Sequence, residues 1–245
     1  MTPVLYDERD GIDQRRVQDS QDDPLIMYLV APRRPSVPAG EVLQQAALAA
    51  VRCVQTFAEA PAWSMAFAEW ERSAFRKVCL GARPVELERA RVLTHVDAGE
   101  VLCFPPRRRS AAEPELARLQ AHTGGPLQAD DAVEFERDGP VMVLLVARDL
   151  HLTLGKACAQ VAHAALIGRQ RHRPSAVNDW EADGCPIAVA LVADDAFQRA
   201  KSELVVAAVR DAGLTQIPAG TETVLATEPG IALADWLREA ARTIV

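Results

Sequence analysis

Leu154-Gly155-Lys156 opens a helical stretch directly after a strand and a turn, and backbone N–H groups at a helix start bind anions. A phosphate loop is the first chemistry to test there. It fails, because G-x-x-x-x-G-K-[ST] needs glycine where Leu150 stands and a hydroxyl where Ala157 stands, which argues against a nucleoside triphosphatase. The chain also lacks G-x-S-x-G, H-E-x-x-H and a dinucleotide fingerprint. Five cysteines, Cys53, Cys79, Cys103, Cys158 and Cys185, form no C-x-x-C pair, and their odd number and scatter argue against a disulfide framework and a zinc site. They read as small buried hydrophobes. What remains is a constellation: Gly155-Lys-Ala-Cys-Ala-Gln-Val-Ala-His-Ala-Ala165 on the helix, Asp211-Ala-Gly-Leu-Thr-Gln-Ile217 in a loop, and Ala219-Gly-Thr-Glu-Thr-Val224 entering a strand.

Alternating strands and helices must bring these three stretches together. Val141 to Val146 is a continuous apolar run, as in a strand covered on both faces. Gly155 to Arg169 is the helix, and Ala157, Ala159, Ala162, Ala164 and Ala165 let it approach a sheet closely. Pro186 to Val192 is a second buried strand, Asp194 or Asp195 caps a helix over Ala196 to Glu203, and Leu204 to Val209 is a third strand. Asp211 to Thr221 is a loop, Thr223 to Thr227 a fourth strand, and Leu233 to Ile244 an amphipathic helix after Pro229-Gly230.

An internal repeat sets the larger organisation. Pro24 to Ala31 resembles Pro140 to Ala147, Gly40 to Val51 matches Gly155 to Leu166, and Trp70-Glu71 parallels Trp180-Glu181. Leu87 to Arg91 then parallels Phe197 to Lys201, and Asp97-Ala-Gly99 echoes Asp211-Ala-Gly213. The expected fold is α/β: two tandem compact domains, each a small mixed sheet of about four strands flanked by helices. Residues 1–20 form a loose tail, 21–121 the first domain, 122–138 a linker and 139–245 the second domain. Pro105 to Gly139, with its Arg107-Arg-Arg109 run, reads as a short helical tail plus that linker.

At 245 residues, 49% apolar and 25% charged, the chain can bury a sizeable core, which rules out wholesale disorder, collagen and coiled coil. Its longest Ala-rich stretch, Val42 to Trp70, is broken by Gln44, Gln45, Arg52, Gln55 and Glu59, so no membrane span is expected. Met1 to Asp23 is acidic and lacks an apolar core, which points away from a signal peptide and towards a cytoplasmic location. The net charge of -7 means that any nucleic acid must be held by a local patch.

The helix motif G-K-x-x-x-Q-x-x-H-A and the loop motif D-A-G-x-T-Q-I, over Val141 to about Pro229, resemble the type II peptidyl-tRNA hydrolase family. The resemblance implies hydrolysis of the ester between a stalled peptide and the terminal ribose of tRNA, on a compact α/β fold that dimerises and needs no cofactor or metal. It implies catalytic roles for Lys156, Asp211 and Thr223, and substrate contacts for Gln160, His163, Thr215, Gln216 and Gly220; Arg148 is added as a substrate contact because it is a candidate replacement for a missing family cation. A carboxylate can orient or deprotonate water and a cation can stabilise an oxyanion or hold a phosphate; Asp211 and Lys156 are expected in those roles, with Thr223 positioning substrate. The first copy carries Glu41 and Leu48 at the Lys156 and His163 positions and is expected to be inactive. Dimerisation implies that it packs on the second as an intramolecular pseudo-dimer partner, a homodimer being the other arrangement.

Each residue also has a plainer reading. Lys156 is then a solvated charge, Asp211 an Asx-turn residue, His163 a packed core imidazole, Gln160 a backbone cap, and Thr215 and Thr223 ordinary strand residues. Leu154, Leu214 and Ala147 stand where the family carries cations, and residues 139–245 hold ten basic against twelve acidic side chains. Arg148, Arg169, Arg171 and Arg173 are the candidate compensating cations. These departures keep open a catalytically inactive RNA- or protein-binding module.

Overall fold

A computed structural model describes residues 4–5, 23–73, 75–127, 139–213, 216–232 and 235–237. The elements are β1 (Val4–Leu5), β2 (Leu25–Pro32), α1 (Ala39–Phe57), α2 (Ser64–Arg72), β3 (Arg76–Ala82), α3 (Pro84–Ala90), β4 (Val96–Ala98), β5 (Val101–Arg108), α4 (Pro114–Ala117) and β6 (Gln120–Ala121). The second half follows as β7 (Met142–Ala147), α5 (Leu154–Arg171), α6 (Pro174–Ala182), β8 (Ile187–Val192), α7 (Asp194–Glu203), β9 (Val206–Arg210) and β10 (Glu222–Thr227).

Two mixed five-stranded sheets result, in the orders β4-β5-β2-β3-β6 and β1-β9-β10-β7-β8. Each exceeds the expected four strands by a two-residue edge strand, β6 or β1. Both halves share one plan: the first strand pairs in parallel with the second and antiparallel with the fourth, which pairs antiparallel with the third. Local geometry repeats too. Buried Trp70 and Trp180 each donate their indole N–H at 2.8 Å to the carbonyl six residues on, in Arg76 and Pro186. Phe75 and Cys185, at matching positions, both take a positive φ.

Helices α1 and α5 pack together between the sheets, so a single apolar cluster runs from Met27 and Leu29 through Val51 and Ala162 to Leu144 and Val146. This explains the unbroken burial of β2 and β7, whose other faces are covered by separate clusters around Phe104 and Phe197. The central position also explains why α5 is buried nearly all round, from Leu154 to Gly168. The five cysteines are buried free thiols. Among the described residues, no helix is long and apolar enough to cross a membrane.

Several sequence expectations are corrected. Arg107 and Arg108 lie in strand β5 and not in a linker: Arg107 is buried and ion-paired with Glu113, and Arg108 with Glu69. Pro105 and Pro106 are tolerated there because they fall in the bulge where the β2–β5 register shifts between Ile26 and Tyr28, and because β4 on the other side pairs only with Val101–Cys103. Asp194 and Asp195 belong to the first turn of α7, whose N-cap is Ala193. The helix expected over Leu233 to Ile244 lies outside the described residues except at 235–237, which are helical.

Candidate active site

The site forms where β7 ends, α5 begins, β9 ends and β10 starts. Strands β7 and β9 run in the same direction because both are antiparallel to β10, so their carboxyl ends share one sheet edge. Gly155 lets α5 start against the chain that crosses this edge, since a Cβ there would lie 2.0 Å from the His122 carbonyl oxygen. Residues 122–127 are accordingly held in place: Leu127 N–H bonds Leu152 O at 3.0 Å and Leu154 N–H bonds Gly125 O at 3.3 Å. That cover buries Leu154, which is the physical reason an apolar residue stands where the family resemblance suggests a cation.

Lys156 and Gln160, one turn apart on α5, face the same carboxylate. Asp211 Oδ2 accepts an ion-paired hydrogen bond from Lys156 Nζ and another from Gln160 Nε2 at 2.6 Å, while Oδ1 accepts Gly213 N–H at 2.8 Å. Gln160 Oε1 accepts the Thr223 hydroxyl at 2.9 Å. The amide orientation is forced, because an ionised carboxylate can only accept. Asp211 is 5% and Thr223 0% exposed, against 16% for the Lys156 side chain, so Lys156 is the most exposed member of this hydrogen-bonded series.

Thr223 reaches Gln160 because β10 is irregular between Glu222 and Val224. Regular alternation would turn Thr223 away from α5, since Val224 and Ala226 already face the central cluster; the bulge re-aims it. Thr223 is thus fully buried, with its hydroxyl bonded to Gln160. His163, two turns along α5 from Lys156, packs edge-on against Phe75 of the other half at 5.1 Å between ring centres. Burial, then the charges of Lys77 and Lys156, hold its imidazole well below the ordinary histidine range.

Gln216 Oε1 accepts Thr153 N–H at 3.2 Å, and Gln216 Nε2 donates to His151 O at 3.2 Å, so this side chain ties the loop to the start of α5. Gly220, at φ 82°, gives its N–H to Asp211 O at 2.7 Å and closes the loop. Thr215 and Leu214 lie outside the described residues. Arg148 stands on the same edge, 3.5 Å from Asp149. Arg169 and Arg173 are paired with Glu181 and Glu228. With Arg171 they lie at or beyond the last turn of α5, roughly 20 Å from Lys156 at 1.5 Å per residue, so they do not compensate at the site.

The first half carries a different set at matching positions. Gln45 donates to Glu41 at 3.2 Å and accepts Glu100 N–H at 2.7 Å. Strand register also revises one match: Asp97 pairs with Leu102 in β5 as Ala208 pairs with Leu225 in β10, all on the outer faces, so Asp97 falls at the level of Ala208 and not of Asp211. A cavity of about 540 Å³ is lined there by Glu41, Gln45, Leu48 and Arg52, with Cys185 and Ile187 of the other half. Among the described residues no cluster of His, Cys, Asp and Glu could hold a metal ion.

The family model described as Peptidyl-tRNA hydrolase PTH2 matches residues 140–233. Peptidyl-tRNA hydrolase 2, mitochondrial, from Mus musculus is 38% identical over 98 residues, 36% of this chain and 54% of that protein. The Homo sapiens protein of the same name is also 38% identical, with 55% of its length covered; the chain thus spans little more than half of these relatives. Peptidyl-tRNA hydrolase from Methanocaldococcus jannaschii is 36% identical over 97 residues, 36% of this chain but 84% of that protein. Since 84% of the archaeal protein is matched, by the half that carries Lys156, Gln160, Asp211 and Thr223, the chain belongs to the peptidyl-tRNA hydrolase family.

Proposed function

We propose that the carboxyl-terminal half hydrolyses the ester between a peptidyl or N-acyl-aminoacyl group and the terminal ribose of tRNA, without cofactor or metal. The hydrogen-bonded chain Lys156–Asp211–Gln160–Thr223 at a sheet edge carries this reading, and the relatives' names supply the substrate class. Asp211 Oδ2 is occupied by two donors and Oδ1 by one. A second acceptor direction on Oδ1 remains for a water. That water, losing a proton towards Asp211, attacks the ester carbonyl carbon, and the ammonium of Lys156 stabilises the oxyanion that forms. Collapse breaks the bond to the ribose oxygen, which leaves with the proton that Asp211 took from the water. Thr223 acts through Gln160 as a positioning residue, and Gln216 and Gly220 shape the loop.

In the same reading the amino-terminal half is a diverged copy standing where a second subunit would, a pseudo-dimer partner without activity of its own. The shared strand plan and the matched tryptophan anchors support this. The test is single-turnover release of tRNA from N-acyl-aminoacyl-tRNA by the full-length protein. Lys156→Ala and Asp211→Asn should each slow it by about 100-fold or more, the range for lost acid–base or charge stabilisation. Wild-type rates in both, in folded protein, overturn the proposal. The burial of Leu154 favours a second reading, an RNA-binding module without turnover; tRNA binding with no release by the wild type would establish it.

A further inference from the structure

The rim of the carboxyl-terminal site repels an anionic substrate on one side. Asp149, Asp194 and Asp195 stand at the ends of β7 and β8, with Asp149 Oδ2 accepting Asp194 N–H at 3.0 Å and Arg148 as their one basic neighbour in sequence. The matching edge of the other sheet has the opposite sign. Pro32 and Ala82 are register partners ending β2 and β3, and the exposed residues that follow are Arg33 and Arg34 on one strand and Arg83 on the other. Arg33 donates its main-chain N–H to Ala82 O at 2.9 Å and its Nε–H to Gly81 O at 3.2 Å. Its remaining guanidinium donors stay available, and among the described residues neither Arg33 nor Arg34 has an ion-pair partner. Arg83 pairs with Glu86, whose carboxyl is held at about 2 by hydrogen bonds from Arg83 and, at longer range, by the charge of Arg33.

This arginine edge lies next to the start of α5. A Cβ on Gly81 would lie 3.1 Å from Arg33 Cγ and 3.3 Å from His122 Cδ2, and a Cβ on Gly155 would touch His122 O. One residue, His122, therefore separates the cluster from the turn that carries Lys156. We propose that Arg33, Arg34 and Arg83 of the amino-terminal half form the phosphate-binding rim of the carboxyl-terminal site, receiving the tRNA phosphates nearest the ester. The inference rests on the reading of that site as a peptidyl-tRNA hydrolase. Of these two edges, charge favours the basic one for the phosphates of an RNA whose terminal ester sits at Lys156. The diverged half thus supplies the cations that Leu154 and Ala147 do not.

The experiment measures binding of deacylated tRNA to the full-length protein across a salt series, alongside single-turnover release. In Arg33→Ala/Arg34→Ala/Arg83→Ala, the slope of log affinity against log salt should shrink by about 0.7 to 0.9 per arginine, and binding near 0.1 M salt should weaken about fivefold for each. The triple lysine variant should recover most of the slope, and Arg199→Ala, on the far face of the second sheet, should keep all of it. Arg34→Glu alone, at an exposed position without an ion pair, should weaken binding without lowering the melting temperature. A wild-type slope in the alanine variant overturns the inference whether or not the protein turns over. A reduced slope in a protein that releases no tRNA sustains the binding surface and overturns the proposed activity.

Discussion

A carboxylate that accepts three donors from within the protein is held in one orientation, and every donor on Asp211 comes from a different element or turn. Thr223 is the outermost link of that restraint. Replacing it by valine keeps the shape but leaves buried Gln160 Oε1 without its donor, which costs about 1 to 3 kcal/mol and frees the amide to turn. Thr223→Val should lower the free energy of unfolding by that amount and reduce kcat more than it raises KM, with Thr223→Ser restoring both; wild-type stability and kcat in the valine variant would remove the hydroxyl from the mechanism. That Lys156, Gln160 and His163 share one helix was legible from the sequence, because spacing on a helix is a local property. The inward turn of Thr223 was not, because it depends on a bulge that leaves no mark on the alternation of residue types. Nor could the spacing show that His163 meets Phe75, which comes from the other half of the chain.

Whole elements were legible where an apolar run met a turn signal, as for β7, α5 and β8, and misread where packing overrode composition. Three consecutive arginines after two prolines suggest a linker, yet Glu113 and the rings of Trp63 and Phe104 make a buried place for Arg107 in β5. The start of α5 offers a sharper test of how elements constrain one another. Helix propensity alone makes Gly155→Ala stabilising by about 1 kcal/mol. The added methyl would, however, lie 2.0 Å from the His122 carbonyl oxygen, a contact with backbone that only a shift of the helix or of residues 122–127 relieves. Overpacking of this kind costs about 1 to 3 kcal/mol, so the steric effect outweighs the propensity. Gly155→Ala should melt at lower temperature and lose single-turnover rate through displacement of Lys156. A raised melting temperature would show that the covering segment yields freely.

At the scale of the molecule, the repeat was readable as two domains, but the way they share a core was not, because it depends on both central helices lying between the sheets. Helix α5 packs against β7, β9 and β10 of its own half and against α1 and β3 of the other. Gln55 reaches Cys185 at 3.3 Å, and Phe75 meets His163, so polar and aromatic contacts cross the same boundary. Residues 139–245 alone would expose the face of α5 that α1 and β3 now cover, a loss of burial worth about 25 cal/mol for each Å² of apolar surface. The shared strand plan means that a second copy of the same half can offer an equivalent face. It would place Cys185 and Ile187 where the full chain has Phe75 and Lys77, the positions that match in the repeat, and so would lack the ring and the cation beside His163. The isolated half is therefore expected to sediment as a dimer and to melt below the full-length protein. A cooperative monomer with the full-length melting temperature would mean that the halves fold independently and that their shared core is incidental to the stability of the site.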